Sequence, residues 1–335
     1  MANYNLAIEL GSSNTVIYSS GVGIVLKEPS VIAIQTLNNK QVVNSVGVAA
    51  KNLIGKTNNS LEIVSPISEG EIANFNLCKL MLKEFLLKIA PSGLFKQRNK
   101  VVFLIPCGLS NFEKKKFFQL AYSLNINTVG LIPSCVCGLI GMEVEENNPN
   151  SHMLINMGGG CTDIAIVNNN HIIRGATINI GGANIDYNIG EYLKEKHNMM
   201  FGTNTLEEIK NQAGSMLVND ISSIVCYGTD IASQERKQVR ILSQDIFEVL
   251  KSAVNNICDA AEAILNMCST EVLKDISKFG IYICGGLSNL TGIEKYISAK
   301  LKLPVYKDAD ADSSVIRGAG NLLNNPMLLN KLLIK

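Results

Sequence analysis

LAIELGSSNTVI (Leu6–Ile17) is a short apolar strand, a Gly/Ser turn and a second, β-branched strand. The pattern returns at LINMGGGCTDI (Leu154–Ile164). Setting Gly11 on Gly158 gives an offset of 147 residues, which also sets Glu9 on Asn156 and Thr15 on Thr162. Both segments read as β-hairpins, and further strand signals follow each, at Gly23–Ile34 and at His171–Ile180. Two halves of about 150 residues that open alike predict a duplicated α/β fold with a cleft between the copies.

Helical patterns fall between these strands. Leu77 to Ile89 is apolar with Lys79, Lys83, Glu84 and Lys88 at the remaining positions, and Pro91 stops it. Val101–Ile105 reads as a buried strand ending at Pro106. After it, Ser110-Asn111-Phe112-Glu113 has the spacing of a capping box, and Phe117, Leu120, Ala121 and Leu124 give that helix an apolar face. Ile246, Val249, Ala253, Ile257, Ala260 and Ile264 mark a long amphipathic helix. The strand Phe279–Cys284 follows, then Gly285-Gly286 and a helix over Gly292–Leu301. Residues 35–65 form a small polar excursion from the first half, and 184–245 a mixed helical excursion from the second.

Composition narrows the function. The 335 residues carry 30 Lys+Arg against 29 Asp+Glu, a net charge of +1, which argues against a nucleic-acid binder working through bulk charge. Hydrophobic residues at 47% and charged residues at 18% exclude disorder. The mean hydropathy of +0.18 suggests apolar surface used for association. No apolar run is long enough to span a bilayer, and the opening MANYNLAIEL shows no basic segment before an apolar run, so a cytoplasmic protein without a secretory leader is expected. Nine cysteines without a CxxC pair, and three histidines away from them, read as reduced packing thiols rather than a zinc site.

Gly-rich turns between strands point backbone N–H groups at a common place, which suits phosphate oxygens. One such turn is weak evidence, but two matching turns on one cleft, with a third at Gly285-Gly286, can clamp a polyphosphate. Neither GxxxxGK[ST] nor GxGxxG occurs.

These segments resemble the MreB family of bacterial actins, within the actin, sugar-kinase and heat-shock ATPase superfamily, from Ile8 to about Leu323. Glu9 to Tyr18 is similar to the first phosphate loop, Asn156-Met157-Gly158-Gly159-Gly160 to the second, and Gly23 to Val31 to the strand that distinguishes MreB. Glu207-Glu208-Ile209-Lys210 falls where the family contacts ribose and adenine. Gly285-Gly286-Leu287-Ser288-Asn289 falls where it cradles adenosine, and Gly318-Ala319-Gly320 resembles the second interdomain connection. The resemblance implies an α/β, actin-like fold of two ribonuclease-H-like halves, each with a smaller excursion. The implied division is 1–32, 66–145 and 315–335 (subdomain IA), 33–65 (IB), 146–181 and 246–314 (IIA), and 182–245 (IIB). It also implies ATP with Mg2+ as ligand, Ser12, Ser13, Asn14 and Gly158 to Gly160 on the phosphates, and a filament as the product, with paired protofilaments and paralogous MreB subunits as partners.

Three departures touch the chemistry. The first-loop Asp is Glu9, and the second-loop Asp is the neutral Asn156, so the magnesium hold through waters is expected to weaken. The family's Glu before a Pro, which orients the attacking water, is Ile132. The Thr after the glycine run is Cys161. Both replacements read most simply as packing residues, and ATP hydrolysis is expected to be impaired.

Leu94 and Phe95, ringed by Lys96, Arg98 and Lys100, lie where MreB proteins dip a loop into the inner face of the cell membrane; the plainer reading folds them onto the core. The tail Met327–Lys335 is a second membrane candidate or a capping helix. The alternatives of other classes are a sugar or acetate kinase, which needs a cleft carboxylate as base and finds only Glu9 and Asp163 near the turns, and a membrane tether like the division protein FtsA. The Glu28-Pro29-Ser30 stretch favours MreB over the tether.

Overall fold

The computed structural model describes residues 5–37, 40–56, 61–89, 100–144 and 149–334. Strands β1 (Leu6–Leu10) and β2 (Asn14–Ser19) form the first hairpin, Leu10 opposite Thr15. β3 (Gly23–Pro29) pairs with β2, but the strand signal over Gly23–Ile34 covers two strands. β4 (Ile32–Leu37) leaves the sheet to pair with β5 (Lys40–Val46), and after the one-turn helix α1 (Val48–Lys51), β6 (Leu61–Val64) completes this small separate sheet. The short pair β7 (Ile67–Ser68) and β8 (Glu71–Ile72) leads to α2 (Phe75–Ile89), β9 (Lys100–Ile105), α3 (Asn111–Ser123), β10 (Thr128–Pro133) and α4 (Ser134–Gly141). Ser110 caps α3 as its spacing predicts, its Oγ accepting from the Glu113 amide at 3.3 Å.

The second half repeats the plan. β11 (Ser151–Met157) and β12 (Thr162–Asn168) form the hairpin and β13 (His171–Ile178) extends it. Next come α5 (Gly182–His197), β14 (Met199–Met200), α6 (Thr203–Ala213), β15 (Ser223–Asp230), β16 (Arg236–Leu242), α7 (Ser243–Asn266) and α8 (Thr270–Phe279). The chain closes with β17 (Ile281–Cys284), α9 (Ile293–Leu301), β18 (Val305–Lys307), α10 (Ser314–Leu323) and α11 (Pro326–Leu332). The two main sheets run β10-β9-β1-β2-β3 and β18-β17-β11-β12-β13. In each, two parallel strands adjoin an antiparallel meander of three. The duplication read from two hairpins therefore extends to whole sheets.

Two readings change. Residues 184–245, expected to be mixed helical, also contain the antiparallel sheet β14-β15-β16. Its signal is a short alternation, Ile224 and Cys226 buried against exposed Val225 and Tyr227. Of the two readings of the tail, the structure forms the capping helix, α11. Leu328 and Leu329 are buried, and Ile334 exchanges both backbone hydrogen bonds with Leu131 on the edge strand β10, at 3.0 and 2.9 Å. That pairing covers the edge strand, and the buried leucines are taken up in the core.

Between the sheets lie α4 and α10, with Ala7, Val16, Leu104 and Ile132 from one side and Leu154 and Ala165 from the other in the same apolar cluster. The helices touch backbone to backbone. A Cβ on Gly141 would stand 1.8 Å from the Ser314 carbonyl oxygen, and one on Gly318 1.8 Å from that of Cys137. Only glycine allows this approach.

Among the described residues, one buried imidazole lacks a hydrogen-bond partner on either nitrogen. His152 on β11 is 4% exposed, neither ring nitrogen has a hydrogen bond, and it packs against Phe279 and Tyr282 with ring centroids 5.3 and 5.8 Å away. Burial lowers its pKa from 6.5, opposed by the nearby Asp275 charge. In the native state the ring therefore binds fewer protons than in the unfolded chain, so stability falls as pH drops below about 6.5. His152→Phe should raise stability by about 1–3 kcal/mol and remove part of that acid loss, read from urea unfolding at pH 5.5 and pH 8.

Candidate functional site

A single row of directly paired residues crosses all five strands of the first sheet: Ile132, Leu104, Glu9, Val16 and Lys27. Such partners share a face of the sheet. The second sheet repeats the row as Cys284, Asn156, Asp163 and Thr177. Glu9 and Asn156 thus hold equivalent places, and each glycine turn begins two residues beyond.

The turns are pinned from behind. Ser30, fully buried, donates through its Oγ to the Gly11 carbonyl at 2.5 Å and lies 2.8 Å from the Thr15 hydroxyl; its amide donates to the Ser13 carbonyl. In the second turn the buried Thr162 hydroxyl donates to the Ile180 carbonyl at 2.7 Å. The two threonines matched by the repeat are both buried and hydrogen-bonded, Thr15 to the Ser30 hydroxyl and Thr162 to backbone. The turns meet face to face, for a Cβ on Gly159 would lie 1.9 Å from Ser13 Oγ and one on Gly160 2.2 Å from Ser12 Oγ.

Beside them opens a cavity of about 360 Å3. Of the residues singled out from sequence, Glu9, Ser12, Ser13, Asn14, Asn156, Gly158, Gly159, Glu207, Lys210, Gly285, Gly286, Leu287 and Asn289 line it together. Gly160 packs on Ser12 behind the lining. Glu208 faces solvent, Ile209 is core, and the buried Ser288 donates to the Gly285 carbonyl at 2.6 Å. The 207–210 run thus contributes one face of α6: helical spacing brings residues i and i+3 to the cavity and turns those between away. Lys210 is held by Asp186 at 2.8 Å and by the Gly182 carbonyl, and Glu207 forms an ion pair with Lys51 of α1 across the mouth of the cleft. Lys27, Asn211 and Asp312 also line the cavity and were missed; Lys27 faces Val16 only through the register of β2 and β3, which no local pattern reveals. A larger groove of about 700 Å3 runs between α5 and α7, but it lacks converging glycine turns and charged clusters. Leu94 and Phe95 lie outside the described residues.

The electrostatics are distinctive. Burial pushes the Glu9 carboxyl up to about 7, with Lys27 opposing and Asp312 adding to the rise. Burial raises the Cys161 thiol to about 12, so it stays neutral. Ile132 is fully buried and offers no polar atom. Asp163, 2% exposed, is engaged on both oxygens: it accepts from the Cys107 amide at 2.9 and 3.1 Å, the Thr177 hydroxyl at 2.7 Å and the Cys135 thiol at 3.0 Å. Cys107, Cys135 and Asp163 bring donor atoms within 4.8 Å of one another; burial raises the pKa of the Cys135 thiol, which donates to Asp163, and the three groups form a hydrogen-bond hub. Among the described residues no helix is long and apolar enough to cross a membrane.

The family described as MreB/Mbl protein matches residues 3–331. The chain belongs to the MreB/Mbl family. It is 29% identical to the cell shape-determining protein MreB of Pasteurella multocida, over 95% of this chain and 92% of that one, and 30% identical to the cell shape-determining protein Mbl of Bacillus subtilis, over 96% of each. The structure of MreB 5 of Spiroplasma citri bound to AMPPNP superposes with a TM-score of 0.91 at 28% identity, covering 97% of both chains. A MamK double helical filament, at 16% identity and a TM-score of 0.78 over 95% of this chain and 98% of that one, shares the fold. The actin-like fold that the resemblance implied is therefore the fold of this MreB/Mbl chain.

Glu9 supplies a measurable signature of the cleft. Its folded pKa lies above the unfolded 4.5, so its favourable contribution is complete below 4.5 and disappears as pH rises through about 7. The difference corresponds to at most about 3 kcal/mol. Without nucleotide or divalent cation, Glu9→Gln should unfold at a higher temperature than wild type at pH 8, with the gap closing toward pH 4.5, as read by calorimetry.

Proposed function

We propose that this MreB/Mbl chain binds ATP in the cavity between the glycine turns and assembles into filaments at the inner face of the cell membrane, serving cell shape or motility. The observation that carries the nucleotide reading is the face-to-face meeting of two hairpin turns, each pinned by a buried hydroxyl, beside a cavity that also takes in Gly285 and Gly286. The relatives with bound AMPPNP and in filament form support it. In this reading Ser12 to Asn14 and Gly158 to Gly160 take the phosphates, Glu207 and Lys210 the sugar end, and Gly285 to Asn289 the adenosine. The subdomain division given above belongs to the same proposal.

Magnesium binds through one or two carboxylates together with substrate phosphates and keeps several waters. Glu9 offers one carboxylate and Asn156 an amide oxygen at the equivalent place, a donor set that fits a cation held chiefly by phosphate. When bound, the cation would neutralise phosphate charge. The protein's part is to hold Glu9 in the cavity wall and to seat the phosphates on the turns.

Hydrolysis is slow in this reading. Phosphoryl transfer to water depends on positioning and electrostatics. Ile132 can orient no water, Cys161 stays a neutral thiol, and Asp163 is committed to four hydrogen-bond contacts. A missing positioned acid–base group is worth about 10²–10⁴-fold in rate. The same absence weighs against a kinase, which needs a free carboxylate for its acceptor hydroxyl.

Wild type should pellet on centrifugation with ATP and remain soluble without it. Gly159→Val, which drives a side chain into Ser13, should neither bind ATP nor pellet; retained ATP affinity in that variant would remove the cleft assignment. Phosphate release by wild type should lie near background and rise in Ile132→Glu with Cys161→Thr at equal ATP affinity; rapid release by wild type would overturn the slow-hydrolysis reading. Leu94→Ser with Phe95→Ser should leave filaments intact but abolish their pelleting with vesicles, because two such side chains contribute about 1.5–3 kcal/mol each and act through many copies.

A further inference from the structure

Two lysines line the cavity, and they are held differently. Lys210 is buried, bonded to Asp186 and to the Gly182 carbonyl, so its charge is matched within the protein. Lys27 is not fixed in this way. It stands on β3 at the end of the row that carries Glu9 and Val16, and the one ion pair it makes among the described residues is with Asp312, at 3.8 Å, with both side chains about two-fifths exposed. That distance is too long for a hydrogen bond, and so open a pair is weak. Asp312 itself accepts from Asn289 at 2.8 Å, so it has another partner when Lys27 leaves.

The geometry lets that ammonium reach the phosphate end. Neighbouring strands are about 4.8 Å apart, which puts the Lys27 backbone two strands from Glu9 on the same face. The intervening Val16 is short and apolar, and a lysine stem of four carbons can lie over it with the amine toward the turns. The charge balance favours the move. Glu9 is the single carboxylate at the paired Glu9 and Asn156 positions, so a divalent cation is held by less charge here than a carboxylate at both would give, while a polyphosphate still needs positive charge near the turns.

We propose that Lys27 is a phosphate-binding residue: on nucleotide binding its ammonium moves from Asp312 to the polyphosphate, and this protein-borne charge makes binding less dependent on a divalent cation. The inference rests on the cavity being the nucleotide site.

The test is calorimetric titration of full-length protein with ATP, in magnesium and in EDTA. Wild type should bind in both, with affinities within about tenfold. Lys27→Gln should lose about 10–100-fold in EDTA, the range expected for a charged hydrogen bond, and clearly less in magnesium. Lys27→Arg should recover most of the loss, and Lys295→Gln, an equal charge change at an exposed site on α9, should lose nothing. Equal affinities of Lys27→Gln and a binding-competent wild type in both buffers would overturn the proposal. An equal loss in both would overturn the sparing of the divalent cation. A wild type that binds ATP in neither buffer would overturn the nucleotide reading itself, and this inference with it.

Discussion

A carboxylate buried at 2% exposure is costly unless its oxygens are satisfied, and the way Asp163 meets that demand orders the molecule. Its oxygens take the amide of Cys107, which belongs to the loop after β9 in the first half, while Asp163 itself sits on β12 in the second. Thr177 reinforces the joint by accepting from the Gly108 amide at 2.9 Å while donating to Asp163. The two sheets are thereby tied at the base of the cleft by bonds that cannot be exchanged for water without exposing a buried charge. At the mouth the tie is of another kind. Lys51 and Glu207 are each about one-third exposed, and an ion pair in such a setting is screened and contributes at most about 1 kcal/mol. The two ties thus differ in kind: one is buried and bonded on every side, the other is open to solvent.

The hairpin echo made the architecture legible because it is local. A glycine turn between two β-branched strands states its own structure, and a second copy 147 residues on states the symmetry. The same locality found the capping of α3 and the stripe of α7. It failed where the information lies between strands. Lys27 is 18 residues from Glu9 along the chain and joins its row only once the registers of β1, β2 and β3 are set. Asp163 was noted as a nearby carboxylate, yet its engagement depends on a loop 56 residues away. The run 207–210 reads as one group in the sequence, and helical geometry divides it into two residues that line the cavity and two that turn away. The sheet β14-β15-β16 was missed because its alternation is short and its outer face carries Val225 and Tyr227, which blur the polar side.

The cavity's chemistry is set by subtraction as much as by addition. At the paired positions Glu9 and Asn156, one row offers a carboxylate and the other an amide, so the wall is less acidic than the duplication alone would make it. Farther along the same rows the side chains are Ile132 and Leu104 on one sheet and Cys284 on the other, all buried. In the proposed reading such a wall would cradle phosphate through backbone and hydroxyl donors while offering little to activate water, so that binding and turnover would rest on different residues.

The contact between α4 and α10 has a mechanical meaning. Where Gly141 and Gly318 meet, main chain bears directly on main chain, while Ile140, Val315, Ile316 and Ala319 around them pack into the cluster shared with both sheets. Moving the helices together by the width of a methyl group would drive carbonyl oxygens into collision. The chain thus carries a hard stop, where helix spacing is set by bonded backbone rather than by rotamers.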